Sequence, residues 1–199
     1  EDRRTNFDDI LVKNVDAILA EIERLAGIAQ SFSKYGAPGG EGEVPVGQVY
    51  LHEIVDDVMA LYGGGSSTTV LFEQEITPGL PPVRARTSEL KEVLINLLEN
   101  ARVAVTKGGI VRILGNQING RVVLAVVDDG AGIPEELLPR IFEPQFSTRS
   151  TGAGLGLPIV KRIVESWGGT VEVDSTTGRG TTVSVFLSLW TEPLDTEIG

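Results

Sequence analysis

Apolar residues at Leu11, Val15, Ile18, Ile22, Leu25, Ala29 and Phe32 are separated by 4, 3, 4, 3, 4 and 3 positions. That spacing is a heptad seam held for three heptads. It predicts a long amphipathic helix over residues 7–32, stopped by Gly36 and by Pro38-Gly39-Gly40. So narrow a stripe needs a partner helix, either in the same bundle or on a second chain. No second long helix of this pattern follows, which favours pairing between chains. A Gly/Pro/Glu stretch then marks a boundary. The expected organisation is a dimerisation helix over 1–36, a linker over 37–47, a second domain over 48–190 and a tail over 191–199.

Past the boundary the period changes. Short strands are expected at 48–51, 68–76 and 83–86, and an amphipathic helix at 52–62, ended by three glycines. Thr87 or Ser88 is placed to cap a helix with Leu90, Val93, Leu94, Leu97, Leu98, Ala101 and Val105 inward, stopped by Gly108-Gly109. Strands at 110–116 and 121–127 flank Asn119-Gly120, a strong two-residue hairpin signal. A short helix at 134–141 follows, then an irregular stretch at 142–151. A helix runs from Gly154 or Leu155 to Trp167, and a last hairpin of 170–174 with 181–189 turns at Thr177-Gly178. Strands and helices interleave, yet several links are hairpins. The pattern therefore predicts an α+β fold, a two-layer sandwich of a mixed β-sheet packed on helices, preceded by the long N-terminal helix.

Composition narrows the function. The 199 residues are 41% hydrophobic with 24 glycines, as in a globular α/β protein. A formal net charge of −11 with no basic run argues against nucleic acid or an anionic membrane surface as partner. The absence of cysteine excludes a disulfide framework and a cysteine-based metal site, and is compatible with the cytoplasm. No apolar run approaches the ~18 residues of a membrane span. Because the first residue is Glu1, a longer parent chain is expected.

Three polar features stand out. The strand over 122–127 runs directly into Asp128-Asp129-Gly130-Ala131-Gly132, a glycine-kinked loop with an acid at its rim. An aspartate there can accept a hydrogen bond from an amino group in a flat pocket, although many β-turns share the pattern. Glu92, Asn96 and Asn100, spaced by four, share one helix face. Asparagine is a mediocre helix former. The pair could be solvated or cap a loop; alternatively, neutral amide oxygens suit a Mg²⁺ ion that already carries phosphate charge. Third, Gly152-Ala153-Gly154-Leu155-Gly156-Leu157 leads into a helix, whose exposed N–H groups and dipole favour an anion. No strand immediately precedes it, so it is not a dinucleotide fingerprint, and no Gly-Lys-Ser/Thr phosphate loop occurs.

In order, these features resemble the ATP-binding domain of bacterial two-component sensor histidine kinases, within the larger group that includes gyrase, Hsp90 and MutL. Residues 94–101 (LINLLENA) resemble its asparagine box, 128–133 (DDGAGI) its first glycine box, 141–148 (IFEPQFST) its phenylalanine box and 152–157 (GAGLGL) its second glycine box. Residues 178–182 (GRGTT) resemble its closing strand, so the likeness spans roughly 48–189. The resemblance implies that Asn100 holds Mg²⁺ and Asn96 assists at the phosphates. It implies that Asp128 accepts from the adenine amine, with Gly130 and Gly132 letting the backbone pass close to the base. Residues 146–156 would form a lid, with Gly152, Gly154, Leu155, Gly156 and Leu157 near the phosphates. Arg149 sits where a lid cation could meet the γ-phosphate, equally where a solvated arginine would. Thr181 is a further candidate for the adenine pocket. In gyrase-like hydrolases the position matching Asn96 resembles a glutamate that activates water; an asparagine there lacks that base, which favours phosphoryl transfer over hydrolysis.

The chain departs from the family in two places. Its one histidine, His52, follows the long helix and lacks the polar residue and proline expected after an acceptor, so it reads as an exposed or capping residue. The helix over 7–32 resembles the second dimerisation helix, which places the phosphoacceptor histidine before Glu1. The lysine frequent after the asparagine box is replaced by Arg102 and Val103. The resemblance thus implies a cytoplasmic catalytic fragment using ATP and Mg²⁺. Its expected partners are a response regulator and a second copy through residues 11–32, and its parent could be anchored in a membrane. A serine kinase of the anti-sigma type and a degenerate dimeric scaffold are the alternatives.

Overall fold

The computed structural model describes residues 45–62, 70–105, 108–146 and 154–192. The expected helix over 7–32, Arg149 and Gly152 lie outside the described residues. The chain divides into two compact units, one of residues 43–143 with 156–199, the other of 1–42 with 144–155.

The larger unit runs β1 (Gly47–Val49), α1 (Leu51–Tyr62), β2 (Leu71–Ile76), β3 (Val83–Ala85), α2 (Thr87–Ala104), β4 (Ile110–Ile118), β5 (Arg121–Asp128), a 3-10 helix (Glu135–Arg140), α3 (Gly156–Ser166), β6 (Thr170–Thr176) and β7 (Gly180–Ser188). Five strands form one sheet in the order β2-β4-β5-β7-β6. The β2–β4 pair is parallel and the other three are antiparallel, so the sheet is mixed, as the hairpin-rich pattern predicts. A separate ribbon pairs β1 with β3, and Trp190 N–H donates to the Pro82 carbonyl at 2.8 Å to tie it to the end of β7.

One side of every central strand is apolar. Val111 and Ile113 of β4, Val122, Leu124 and Val126 of β5, and Val183, Val185 and Leu187 of β7 are all buried. Against them lie the stripes of α1 (Leu51, Ile54, Val55, Val58), α2 (Leu90, Val93, Leu94, Leu97, Leu98, Ala101) and α3 (Ile159, Val160, Ile163, Val164). These stripes are the 3.6-period positions, and burying them on the sheet is what holds the helices in place. Within the helical layer α1 packs on α2 and β2, and α3 on α2 and β6, so α2 lies in the middle. Helices α2 and α3 run antiparallel: the Trp167 indole donates to Glu89 near the start of α2 at 3.0 Å, while Gly156 meets the asparagines nearer its end.

Four local details differ from expectation. Neither Thr87 nor Ser88 caps α2: Arg86 takes the N-cap position with extended backbone and no side-chain cap bond. Instead, first-turn Glu89 meets the helix dipole and pairs with Arg86 at 3.2 Å. The helix ends at Ala104 rather than running on to the glycines, because the Ala104 carbonyl accepts the Ala131 N–H at 3.0 Å. Residues 135–140 make a tight 3-10 helix containing Pro139 rather than an α-helix. Helix α3 starts at Gly156, since Gly154 has a left-handed φ of 63°. The Asn119-Gly120 turn has both central φ values positive, 50° and 75°, which matches strand twist in a two-residue hairpin.

Candidate functional site

Strand β5 ends beside the start of β7, with Asp128 directly opposite Thr181. Both are buried, at 7% and 8% exposure, and among the described residues they are the buried polar ones. Burial of such groups has to be compensated by hydrogen bonds. Asp128 Oδ1 accepts the Gly130 N–H at 2.8 Å, which closes the turn and fixes one carboxylate oxygen. Asp129 anchors the other side, accepting the Ile110 N–H at 2.9 Å. The loop is then fastened at both flanks, by Ala131 N–H to the Ala104 carbonyl at 3.0 Å and by Gly178 N–H to the Ala131 carbonyl at 2.7 Å.

Glycines in this loop answer to the protein itself. A Cβ on Gly130 would stand 2.5 Å from the Ala104 carbonyl oxygen. On Gly132, whose φ is +68°, it would stand 2.1 Å from the Thr176 oxygen. Close approach of backbone to backbone therefore demands glycine at both positions, whatever the loop faces. The same holds at Gly180, φ +98°, where a Cβ would overlap the Asp128 carbonyl.

Ser175, on β6 opposite Thr181, is the one site residue that motif reading passed over. Its Oγ accepts the Ile133 N–H at 2.8 Å, donates to the Gly180 carbonyl at 2.9 Å and lies 2.9 Å from Thr181 Oγ1. In sequence it is one serine in a polar turn; only the β6–β7 register brings it under the Asp128 loop.

The second cluster lies on α2. Asn96 Nδ2 donates back to the Glu92 carbonyl at 2.9 Å, so its Oδ1 is the atom left to face outward. A Cβ on Gly156 would stand 3.3 Å from that Oδ1 and 3.2 Å from Asn100 Nδ2. Both carboxamides thus abut the N-terminus of α3, with Leu157 next in the helix, where the dipole and unpaired N–H groups favour an anion. Amide oxygens beside such an end suit a hard divalent cation whose charge is balanced by a polyphosphate. Among the described residues no group of three His, Cys, Asp or Glu could hold a metal unaided.

Arg102 does not stand in for the missing lysine. Two residues beyond Asn100 is about 200° around the helix. There Arg102 makes a double contact with Glu99, at 2.9 and 2.7 Å, and Glu99 also accepts from the Tyr62 hydroxyl at 2.9 Å. In the smaller unit, Gln145 N–H donates to the Gly154 carbonyl at 3.1 Å, and a Cβ on Gly154 would meet the Phe146 carbonyl oxygen at 2.6 Å; Leu155 next to it is half-buried. His52 is exposed, its ring 5.8 Å from that of Tyr50.

The chain is similar to proteins already known. The profile of the family described as histidine kinase-, DNA gyrase B-, and HSP90-like ATPase matches residues 85–191. The chain is 35% identical over 141 residues to the sensor histidine kinase ZraS of Klebsiella oxytoca, covering 70% of this chain and 30% of ZraS. It is 31% identical over 194 residues to sporulation kinase C of Bacillus subtilis (strain 168), covering 94% of this chain and 42% of that one. It therefore spans less than half the length of either relative. Full-length ShkA in complex with AMPPNP has a TM-score of 0.67 at 28% identity, over 82% of this chain and 35% of that one. The histidine kinase ThkA in complex with the response regulator TrrA has a TM-score of 0.72 at 26% identity, over 89% of this chain and 51% of that one. With that profile running from β3 through the Asp128 loop to the end of β7, the chain belongs to the histidine kinase-, DNA gyrase B- and HSP90-like ATPase family.

Proposed function

We propose that this chain is the ATP-binding catalytic part of a sensor histidine kinase, which delivers the γ-phosphate of ATP to a histidine for onward transfer to a response-regulator aspartate. The observation that carries the reading is the pair of asparagine amides set against the first residue of α3. Asn100, with Asn96 beside it, would hold Mg²⁺, which when bound supplies charge neutralisation for the triphosphate. The α3 N-terminus around Gly156 and Leu157 receives phosphate oxygens, and Asp128 with Thr181 reads the adenine amine. By the resemblance, Arg149, Gly152, Gly154 and Leu155 would belong to a lid. An amide at Asn96 cannot act as a general base, so the site positions a γ-phosphate without activating water, which favours transfer to an incoming imidazole. Likeness to relatives named as sensor histidine kinases supports the acceptor class, and likeness to a kinase solved with a response regulator supports the partner. A cytoplasmic homodimer joined through residues 11–32 completes the proposal.

Calorimetric titration with ATP, with and without Mg²⁺ and with GTP as control, tests it. Saturable, Mg²⁺-strengthened, adenine-selective binding is expected. Asp128→Asn should bind ATP at least about tenfold more weakly, since an N–H₂ group would replace an acceptor opposite the base amine. Unchanged affinity in that variant removes the adenine assignment, and no binding by the parent chain removes the kinase reading in favour of a scaffold.

A further inference from the structure

We infer that Ser175 is a positioning residue of the base pocket, one that sets the Thr181 hydroxyl as a hydrogen-bond acceptor and so makes the pocket select an amino group over a carbonyl at the purine 6-position. The inference rests on the nucleotide reading above and deepens it.

A serine hydroxyl has one proton and two lone pairs. At Ser175 the Ile133 N–H takes one lone pair, at 2.8 Å, and the proton goes to the Gly180 carbonyl, at 2.9 Å. What remains for Thr181 Oγ1, 2.9 Å away, is the second lone pair. With the Ser175 proton on the Gly180 carbonyl, Thr181 is the donor of that pair, which leaves its own lone pairs to accept. Thr181 sits opposite Asp128 on the same side of the sheet, and facing side chains of such pairs lie within about 5.5 Å at Cβ. A carboxylate accepts and a hydroxyl with a committed proton accepts. Two acceptors side by side match the two hydrogens of an exocyclic amine and repel a carbonyl oxygen. The backbone bonds of Ser175 serve the same end: Ile133 continues the Asp128 loop and Gly180 precedes Thr181, so a single hydroxyl ties together both strands that carry the reading groups.

The test is the ratio of affinities for ATP and inosine triphosphate, which differ at the 6-position amine and its neighbouring ring nitrogen, measured on the full chain and on Ser175→Ala. In the variant Thr181 regains a free rotor and can turn its proton toward a carbonyl. The preference for ATP is expected to fall by about threefold to tenfold, the worth of one redirected hydrogen bond. Should Ser175→Ala not fold, Ser175→Cys keeps the side-chain shape while weakening all three contacts, and the same fall is expected. A merely structural role would weaken both nucleotides alike and leave the ratio unchanged, which would overturn the inference. Failure of the unaltered chain to bind ATP would instead strike the nucleotide reading itself.

Discussion

At the scale of single residues, the glycines separate what the backbone requires from what a ligand requires. Gly120 and Gly132 both have positive φ, 75° and 68°, but nothing lies within 4 Å of a Cβ on Gly120. Gly120→Ala should therefore cost only the left-handed backbone term, about 1 kcal/mol. Gly132→Ala adds a collision with the Thr176 carbonyl, and a loss of about 2–4 kcal/mol in urea unfolding is expected, together with weaker ATP binding because the Asp128 loop must shift. Equal losses for the two variants would mean that the loop yields freely. Asp128, Asn96 and Asn100 were legible in the sequence because each stands in a local pattern: a strand entering a glycine turn, or a four-residue helical spacing. Gly130 and Gly132 were legible as necessary glycines but not for the right neighbour, since their contacts with Ala104 and Thr176 depend on where α2 ends and where β6 turns. Ser175 was not legible at all, because its partners lie 42, 5 and 6 residues away and meet only through strand register.

At the scale of elements, periodicity carried the helices and strands, while their ends were decided by tertiary partners. Helix α2 stops where the Asp128 loop takes the Ala104 carbonyl, and no propensity signals that. Strand order was equally hidden, because the parallel β2–β4 pair joins strands separated by β3 and α2. One contact between elements has a pH signature. Tyr62, the last residue of α1, donates to Glu99 of α2 and packs its ring 4.8 Å from that of Phe72 on β2. Burial first, and then the bond to Glu99, push its phenol well above the usual tyrosine range. The folded state thus holds a proton that the unfolded chain releases as pH rises past about 10. Stability from this group is complete below that pH and lost above it. Tyr62→Phe should be less stable by about 1 kcal/mol near neutrality, and the gap should narrow by about pH 11. Urea midpoints at the two pH values check this; a constant gap would show that the phenol is not what the alkaline loss acts through.

At the scale of the whole molecule, the arrangement of the helical layer bears on the proposed transfer to histidine. His52, the chain's one histidine, lies at the start of α1, and Gly156 with the asparagine amides lies on the α3 side of α2. Neighbouring helix axes are about 8–10 Å apart, so α1 and α3 are separated by roughly twice that. In-line attack needs the imidazole nitrogen within about 3–3.5 Å of the γ-phosphorus. Helix α1 is also fastened in place, by Lys91 to Asp57 at 2.7 Å and by Gln74 to Asp56 at 2.9 Å, and its apolar stripe is buried. Bringing His52 to the phosphate would mean stripping α1 from the core. The chain with Mg²⁺ and ATP alone is therefore expected to place no phosphoryl group on His52. A histidine-bearing dimerisation hairpin supplied as a separate protein should become labelled with an acid-labile phosphoryl group. Asn100→Ala should abolish that label while His52→Gln leaves it intact. Label on the chain that disappears in His52→Gln would refute the layer argument and make α1 the mobile element. A label on the separate hairpin that survives Asn100→Ala would move the metal site off α2.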